Sequence, residues 1–458
     1  MKEVLRKYIA GKKVAILGFG REGKSTLRLC EQIGGYDSIS VLDINEVQSE
    51  YNDVEIVYGE MYQKKLDDYD IVIKSPGIVL EKNFEEYKCR ILCQTEIFFE
   101  RYSKQIIGIT GTKGKSTTTA LIYHILKENG RNAVLAGNIG IPAFDIIDSI
   151  SNDTIIVLEM SSHMLEYMTT APHIGVFLNI HEEHLDHYGT MEKYVNAKKN
   201  IYLNQKCDDI CFVNALLGAK SKGKLVELFS DFEGDKASEE VLDRKDSFLS
   251  VYENQVKFNS FGHIFEYEIP VKEIQIFGGH NYYDIGVAFG VLALLGVTSE
   301  EFEKALKTFE ALPHRLQYVG TSRGVKYYDD SISTICDTAI QAMKCVPDVT
   351  TILIGGMDRG IDYSELIEYL DDSGIENIVL MYETGKRIYN EITEKHHDFK
   401  DKDRIILVND LKEAVREAKK VTKPGQACVM SPAAASYGYF KNFEERGDVF
   451  KTFVLDSN

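Results

Sequence analysis

The sequence has no tryptophan, an absence that decides nothing about function. Other absences exclude more. No apolar run is long enough to span a bilayer and no signal-peptide pattern is present, so a cytoplasmic location without stable membrane insertion is expected. The eight cysteines form no C-x-x-C pair. Cys89/Cys93 and Cys207/Cys211 have three residues between them, which suits one helical face or chance better than a tetrahedral metal site. Such usage fits a reducing compartment. Positive charge is scarce: 53 Lys and Arg face 71 Asp and Glu, leaving a formal net charge of −18. A general binder of nucleic acid or anionic membrane needs clustered cations, so that class is excluded. The charge reads first as solubility, and any phosphate ligand must be held by loops, helix ends and metal ions. No solenoid-period repeat or low-complexity tract occurs.

What is present is an ordinary hydrophobic and charged content, 44% and 27% of 458 residues, enough for two to four domains. Residues 12–100 alternate short β runs ("KVAILG", "SISVLD", "DIVIKSPGI") with helical stretches, the pattern of a parallel sheet wrapped by helices. The pattern restarts with "IIGITGTKGKSTTTALIYHILKENG", a strand, loop and helix ending at Gly130, and "TIIVLEMSS" and "IGVFLNI" read as further buried strands. Lys206 to Phe277 is mixed and polar, and a small antiparallel insertion or subdomain is expected there. "NYYDIGVAFGVLALLG" reads as helix. After "LPHR" a third alternation brings the strands "VKYYDDS", "TTILIGG", "NIVLMY", "DRIILV" and "ACVMSPA". The expected fold is therefore α/β with three domains: a Rossmann-like unit over 1–102, a central P-loop unit with a mixed β insertion over 103–312, and a Rossmann-like unit over 313–458.

Two glycine loops compete for a nucleotide. "ILGFGREGKS" spells G-x-G-x-x-G through Gly18, Gly20 and Gly23, and also G-x-x-x-x-G-K-S through Ser25. It follows a strand, and Asp43 ends the next one. In a dinucleotide-type fold the glycines let backbone approach a pyrophosphate and the acid binds a ribose hydroxyl. Lys24 and Ser25 then become the first turn of an ordinary helix. A purely structural tight turn is the bland alternative. The second loop, "GITGTKGKSTTT", has Ile109 at the first Walker position but carries Gly111, Thr112, Lys113, Gly114, Lys115, Ser116 and Thr117. Its N–H groups can cradle phosphates at a helix N-terminus, Lys115 can reach the β/γ oxygens and Ser116 can bind Mg2+. Glu159, ending the buried strand of "TIIVLEMSS", supplies the acid that such a site needs, so this loop is the better ATP candidate.

"NIHEEHLDHYGT" carries His181, His184 and His187. The zinc motif H-E-x-x-H fails because Leu185 occupies its second histidine position. Either a solvated acidic loop or a histidine serving a Mg2+–phosphate centre remains.

Taken in order, "GITGTKGKSTTT", "LEMSS", "HEEHLDHYGTMEKYVNAKKNIY", "GGHN", "LPHR" and "DDS" resemble the Mur ligase family over nearly the whole chain. The N-terminal unit with "SPGI" is similar to members that hold a UDP-sugar on a Rossmann-like domain. "SPAAASYGYFKNFEERG" resembles the members that add glutamate, normally D-glutamate, to UDP-N-acetylmuramoyl-L-alanine. The D-N-P-R motif of the diaminopimelate- or lysine-adding relatives is absent. The resemblance implies ATP-dependent acyl-phosphate chemistry in peptidoglycan precursor synthesis, with two Mg2+ ions and a monomeric chain. It implies Lys115, Glu159, His184 and Lys198 at the reaction centre. Ser116 and Glu159 would hold one Mg2+, and His184 and a carbamylated Lys198 the other, with neighbouring Lys199 left open by spacing. It implies Asn281 at adenine and Arg315 and Asp330 at ATP phosphate and ribose. Gly18, Gly20, Arg21, Glu22, Gly23, Asp43, Ser75, Gly77, Asn138 and Ser161 fall to the UDP-sugar substrate, and Thr334, Arg359, Ser436, Tyr437 and the Phe443 N–H to glutamate. Ser436 could otherwise be a helix cap. Lys113, Asp284, Ile332 and Arg359 depart from residues common in the family. The last two touch the glutamate side, where a guanidinium does not replace an ammonium.

Competing classes are an L-glutamate-adding counterpart, a folylpolyglutamate-type ligase, an NAD-dependent oxidoreductase using the first loop, and a regulatory P-loop ATPase.

Overall fold

A computed structural model of the chain describes residues 1–233, 236–394 and 399–456. They fall into two compact units, Met1–Pro270 with Tyr282–Leu306, and Val271–Asn281 with the chain from Lys307 onward. Three sheets carry them, two in the first unit and one in the second.

The first sheet comprises β1 (Lys13–Leu17), β2 (Ser38–Asp43), β3 (Glu55–Tyr58), β4 (Ile71–Lys74) and β5 (Arg90–Cys93). Its order is β3-β2-β1-β4-β5 and every pairing is parallel. Sequential strands depart from β1 in opposite directions, so the loops after β1 and β4 meet at a topological switch point, where α/β sheets receive ligands. β1 and β4 are buried on both faces, which is why they read as continuous Val/Ile runs.

The second sheet has nine strands: β6 (Ile106–Thr110), β7 (Ala133–Gly137), β8 (Ile155–Glu159), β9 (Ile174–Phe177), β10 (Ile210–Asn214), β11 (Lys224–Ser230), β12 (Phe248–Tyr252), β13 (Gln255–Ser260) and β14 (His263–Glu268). The order β14-β13-β12-β11-β10-β9-β6-β8-β7 puts a second switch point between β6 and β9. The antiparallel insertion expected over 206–277 is corrected here: β10, β11 and β12 pair in parallel and extend the central sheet, and only β13 and β14 are antiparallel. The alternating run "IFEYEI" that carries the expectation falls largely in β14, the strand at the edge of the sheet, where most residues are exposed. Of the two readings of the cysteine spacing, the shared helical face fails and chance remains. Cys93 caps helix Gln94–Tyr102 from the end of β5, and Cys211 lies in β10, so neither pair shares a helical face.

The third sheet comprises β15 (Gln317–Ser322), β16 (Val325–Asp329), β17 (Val349–Gly355), β18 (Asn377–Met381), β19 (Ile405–Val408) and β20 (Ala427–Met430), ordered β15-β16-β20-β17-β18-β19. β15 is the antiparallel edge strand; the others pair in parallel. The carboxyl ends of β16, β20 and β17 lie side by side. No helix among the described residues is long and apolar enough to cross a membrane.

Candidate active site

At the first switch point Gly18 has φ +89°, and a Cβ there would stand 2.9 Å from the Ser75 Cβ. The Ser75 hydroxyl donates to the Gly18 carbonyl at 2.9 Å, joining the loops after β1 and β4. Gly20 precedes helix Arg21–Ile33, and a Cβ on Gly23 would meet the Gly18 carbonyl oxygen at 2.1 Å. The third glycine thus permits close helix–strand packing. Around Gly77 the space is open. Asp43 accepts at Oδ2 from the Phe19 N–H at 2.7 Å and at Oδ1 from the Asn45 N–H at 2.9 Å. It braces the loop. Arg21 is exposed, and Glu22 sits beside it in the first helical turn. Lys24 lies over the Phe19 ring, and the Ser25 hydroxyl donates to Asp145 at 2.8 Å, so both are helix residues occupied elsewhere.

At the second switch point Gly114, φ +80°, caps helix Lys115–Glu128 and leaves Lys115, Ser116 and Thr117 in its first turn. The Lys115 ammonium folds back onto the carbonyls of Gly111 (2.9 Å) and Thr112 (2.8 Å). Two of the N–H groups expected to cradle phosphate, those of Thr112 and Lys113, donate instead to the Asn179 side-chain oxygen at 3.1 and 2.9 Å. Asn179 follows β9, the strand across the switch point. Asp284 accepts from the Thr118 hydroxyl at 3.1 Å and lies where a Cβ on Gly114 would come within 2.4 Å. This acid therefore stands against the phosphate loop itself.

Glu159, at the end of β8, is fully buried. Its Oε1 accepts from the Asn138 amide at 2.6 Å, while Oε2 is buried with no hydrogen-bond partner. An orphaned carboxylate oxygen is costly unless a cation joins it, so this position fits Mg2+. Among the described residues no group of three His, Cys, Asp or Glu is placed to hold a metal. Mg2+ nevertheless commonly uses one or two carboxylates with substrate phosphates, and the orphaned Glu159 oxygen fits the part of such a carboxylate. Asn138 thus orients Glu159, and Ser161 caps helix Ser162–Leu165 by accepting from the Met164 N–H at 3.2 Å.

The Lys198 side-chain nitrogen is buried and donates to the Gly111 carbonyl at 2.7 Å, whereas Lys199 is half-buried. Burial, then Lys115, hold its pKa well below the usual amine range. A neutral amine is the form that reacts with carbon dioxide, so the position suits a carbamate. The Lys198 nitrogen also lies 5.0 Å from the Tyr194 ring, and Tyr194 meets His184 edge-on at 5.7 Å and the Thr112 hydroxyl at 3.1 Å. Tyr194 thus stands between His184 and Lys198. His181 faces Glu233 and His187 faces Glu166.

In the second unit the loops after β16, β20 and β17 converge. Asp330 is buried, accepting from the Ser431 hydroxyl at 2.7 Å and the Leu316 N–H at 3.3 Å, and burial pushes its carboxyl up to about 7. Arg315, beside Leu316, is exposed. The Arg359 guanidinium donates to the Thr334 carbonyl at 3.1 Å. Its loop is anchored by Arg387, which pairs with Asp358 at 2.9 Å and donates to the Ile361 carbonyl at 2.9 Å. Ser436 is buried and Tyr437 exposed. Phe443 opens helix Phe443–Leu455. The helix-cap reading of Ser436 is thereby dropped, because Asn442 is the cap. Asn281 donates to the Phe277 carbonyl at 2.7 Å.

Residues 109–292 match the Mur ligase middle domain. Over 97% of its length the chain is 33% identical to the UDP-N-acetylmuramoylalanine–D-glutamate ligase of Lachnoclostridium phytofermentans, 98% of which is covered. The chain belongs to the Mur ligase family. A second relative of the same name, from Clostridioides difficile, is 32% identical over 97% of this chain and 99% of its own. Among solved structures, MurF ligase from Thermotoga maritima in complex with ADP shares the fold, with a TM-score of 0.55, 18% identity and 99% of both chains covered. MurF from Acinetobacter baumannii gives a TM-score of 0.60 at 14% identity, covering 98% of this chain and 92% of the other.

Several residues of this Mur ligase centre escape sequence reasoning. Asn179 is remote from the second loop in sequence, and only the strand order brings it there; Asp284, noted above only as a departure, reaches the loop from helix Gly279–Leu294. His163, whose ring meets those of His184 at 4.9 Å and His187 at 4.4 Å, had no spacing signal. Arg446, fully buried, was visible only as one cation of an exposed-looking "NFEERG".

Proposed function

We propose that the chain is the ATP-dependent ligase that joins D-glutamate to UDP-N-acetylmuramoyl-L-alanine in the cytoplasm. The observation that carries this reading is the end-to-end match to ligases of that name. The orphaned Glu159 oxygen beside a lysine-bearing phosphate loop supports it. The alanyl carboxylate attacks the γ-phosphorus of ATP, the bond to the β-phosphate oxygen breaks, and ADP leaves. The neutral amino group of glutamate then attacks the acyl carbon, and the tetrahedral intermediate expels phosphate and loses a proton to give the amide. Lys115, released from its own loop carbonyls, offsets the charge of the transferring phosphoryl group. Bound Mg2+, held by Ser116 and Glu159 and by His184 and carbamylated Lys198, would supply the remaining charge neutralisation. The loops bearing Gly18, Gly20, Ser75 and Gly77 hold the UDP-sugar. Thr334, Arg359, Ser436 and the Phe443 N–H hold glutamate, with Arg359 fixed by Thr334 on one side. Asn281, Arg315 and Asp330 serve ATP.

Phosphate release from Mg2+-ATP and UDP-N-acetylmuramoyl-L-alanine tests the reading. Stimulation by D-glutamate is expected. Stimulation by L-glutamate alone would assign the other stereochemistry, and no stimulation by either would overturn the proposal.

A further inference from the structure

Arg387, in helix Tyr382–Glu394, commits all three guanidinium nitrogens to the loop after β17 and to its own helix. Nη1 donates to Asp358 Oδ1 at 2.9 Å, Nη2 to the Ile361 carbonyl at 2.9 Å and Nε to Glu391 at 3.0 Å. The group also lies over the Tyr363 ring, 5.3 Å from its centroid. The same Asp358 oxygen accepts from the Gly360 N–H at 2.9 Å, and Gly360 turns the chain with φ +72°. Arg359 is therefore the middle residue of a tight turn. One planar cation holds both ends of that turn, at the Asp358 side chain and at the Ile361 carbonyl. Tyr363 extends the hold: its hydroxyl donates to the Ala433 carbonyl at 3.4 Å, in the loop that leads to Ser436. Beside it the Met357 N–H donates to the Ala435 carbonyl at 2.9 Å.

Arg359 itself is exposed. Among the described residues its guanidinium meets one acceptor, the Thr334 carbonyl, 3.1 Å from Nη2, so the rest of the fork is open to a carboxylate. A long side chain on a mobile loop would follow a carboxylate wherever it lay. Here the backbone of Arg359 is fixed by Arg387 and its tip by Thr334. With Ser436 on the neighbouring loop, a fixed Arg359 sets a distance that the two carboxylates of glutamate must span. Aspartate carries the same two carboxylates one methylene closer together, and a rigid pair of anchors leaves one of its hydrogen bonds unmade.

We propose that Arg387 is a specificity-determining positioning residue: by holding the turn that carries Arg359, it makes the ligase select glutamate over the shorter aspartate. This rests on the reading that Arg359 and Ser436 receive glutamate. Phosphate release by the full chain with Mg2+-ATP and UDP-N-acetylmuramoyl-L-alanine, with D-glutamate or D-aspartate as acceptor, tests it. The wild type is expected to favour glutamate by at least about a hundredfold in kcat/KM. Arg387→Met keeps the length and removes the fork. It should raise KM for glutamate about tenfold, leave kcat and KM for ATP within about twofold, and lower the glutamate-to-aspartate ratio at least about fivefold. Arg387→Lys, which can reach only one of the two turn acceptors, should fall between them. The Arg387 side chain is 30% exposed, and a general loss of folded protein would lower both activities equally, leaving the ratio unmoved. In an Arg359→Met background, adding Arg387→Met should change KM for glutamate by less than about twofold, because the residue it acts through is gone. An unchanged ratio in Arg387→Met, or the full rise in KM in that background, would overturn the proposal. An unaltered KM for glutamate in Arg359→Met would instead overturn the glutamate-site assignment, and no response of the wild type to glutamate would overturn the functional reading.

Discussion

Arg446 donates from Nη2 to the carbonyl of Ser331 at 2.7 Å and from Nε to the same residue's hydroxyl at 3.0 Å, from a position with no solvent exposure. Its Nη1 reaches the Ala434 carbonyl at 2.9 Å, and the Ser331 hydroxyl passes a bond on to the Phe443 carbonyl at 2.7 Å. One guanidinium therefore ties together the loop after β16, the loop after β20 and the helix that begins at Phe443. These segments carry the proposed glutamate residues. Arg446→Leu leaves the Ser331 and Ala434 carbonyls without donors, at about 1–3 kcal/mol for each. Urea unfolding should show that loss. Arg446→Lys, which restores the charge but not the fork, should raise KM for glutamate more than KM for ATP. Equal rises in both would show that the clamp has no local role.

Lys115 and Lys24 occupy the same letter of two glycine-lysine strings but different physical positions. Lys115 lies across the carbonyls of its own loop, and Lys24 lies over Phe19 on a helix surface. Lys115→Ala is expected to lower turnover by at least about a thousandfold. Lys24→Ala should leave ATP affinity within about twofold of wild type, a surface change with no ligand contact. Phosphate release and equilibrium nucleotide binding measure the two; loss of ATP binding in Lys24→Ala would reverse the assignment of the loops.

The contrast shows where sequence was informative. Strands buried on both faces read as Val/Ile runs, and the glycine turns announced the ends of β1 and β6, so the three α/β units were legible. β15 was missed because its residues alternate between half-buried and exposed, with Gly320 interrupting the run. The extension of the central sheet through β12 was missed because parallel pairing between sequence-remote strands leaves no local mark. The same limit applies to Asn179, which reaches the second loop through strand order, and to the contact of Asp284 with that loop, made from helix Gly279–Leu294. Spacing alone does not tell Lys198 from Lys199; the structure adds that Lys198 is buried.

Lys198 should carry a carbamate. Burial, then the Lys115 charge, disfavour its ammonium and so favour the neutral amine that attacks carbon dioxide. With 13C-labelled bicarbonate, NMR of the wild-type chain at pH 8 should show a carbamate resonance absent from Lys198→Arg. A resonance of equal size in that variant would assign it to another amine.

Asp330 gives a pH signature in stability. Its carboxyl has a folded pKa raised to about 7, above its ordinary value of 3.8. The folded state therefore binds more proton than the unfolded state between those values, and stability falls as pH rises through that window. The contribution is at most about 1.4 kcal/mol per pH unit from one group. Asp330→Asn removes it, so the difference in unfolding free energy between variant and wild type should shift in the variant's favour from pH 4 to pH 7. A difference independent of pH would place the Asp330 pKa near its ordinary value.

Asp284 sets a negative charge against Gly114, at the loop proposed to receive a triphosphate. Its Oδ1 also accepts from the Thr118 hydroxyl at 3.1 Å, a bond that bridges helix Lys115–Glu128 and helix Gly279–Leu294. An asparagine keeps that acceptor and the side-chain shape while removing the charge. A like charge several ångströms from the phosphates, at the high effective dielectric of a solvated site, opposes binding by about 1 kcal/mol. Asp284→Asn is therefore expected to tighten ATP binding by about threefold to tenfold with little change in thermal stability, whereas Asp284→Ala also removes the Thr118 bond. Equilibrium binding of ATP to the two variants separates charge from scaffold. If Asp284→Asn binds ATP more weakly than wild type, the carboxylate contributes to the nucleotide centre through a cation instead of opposing it.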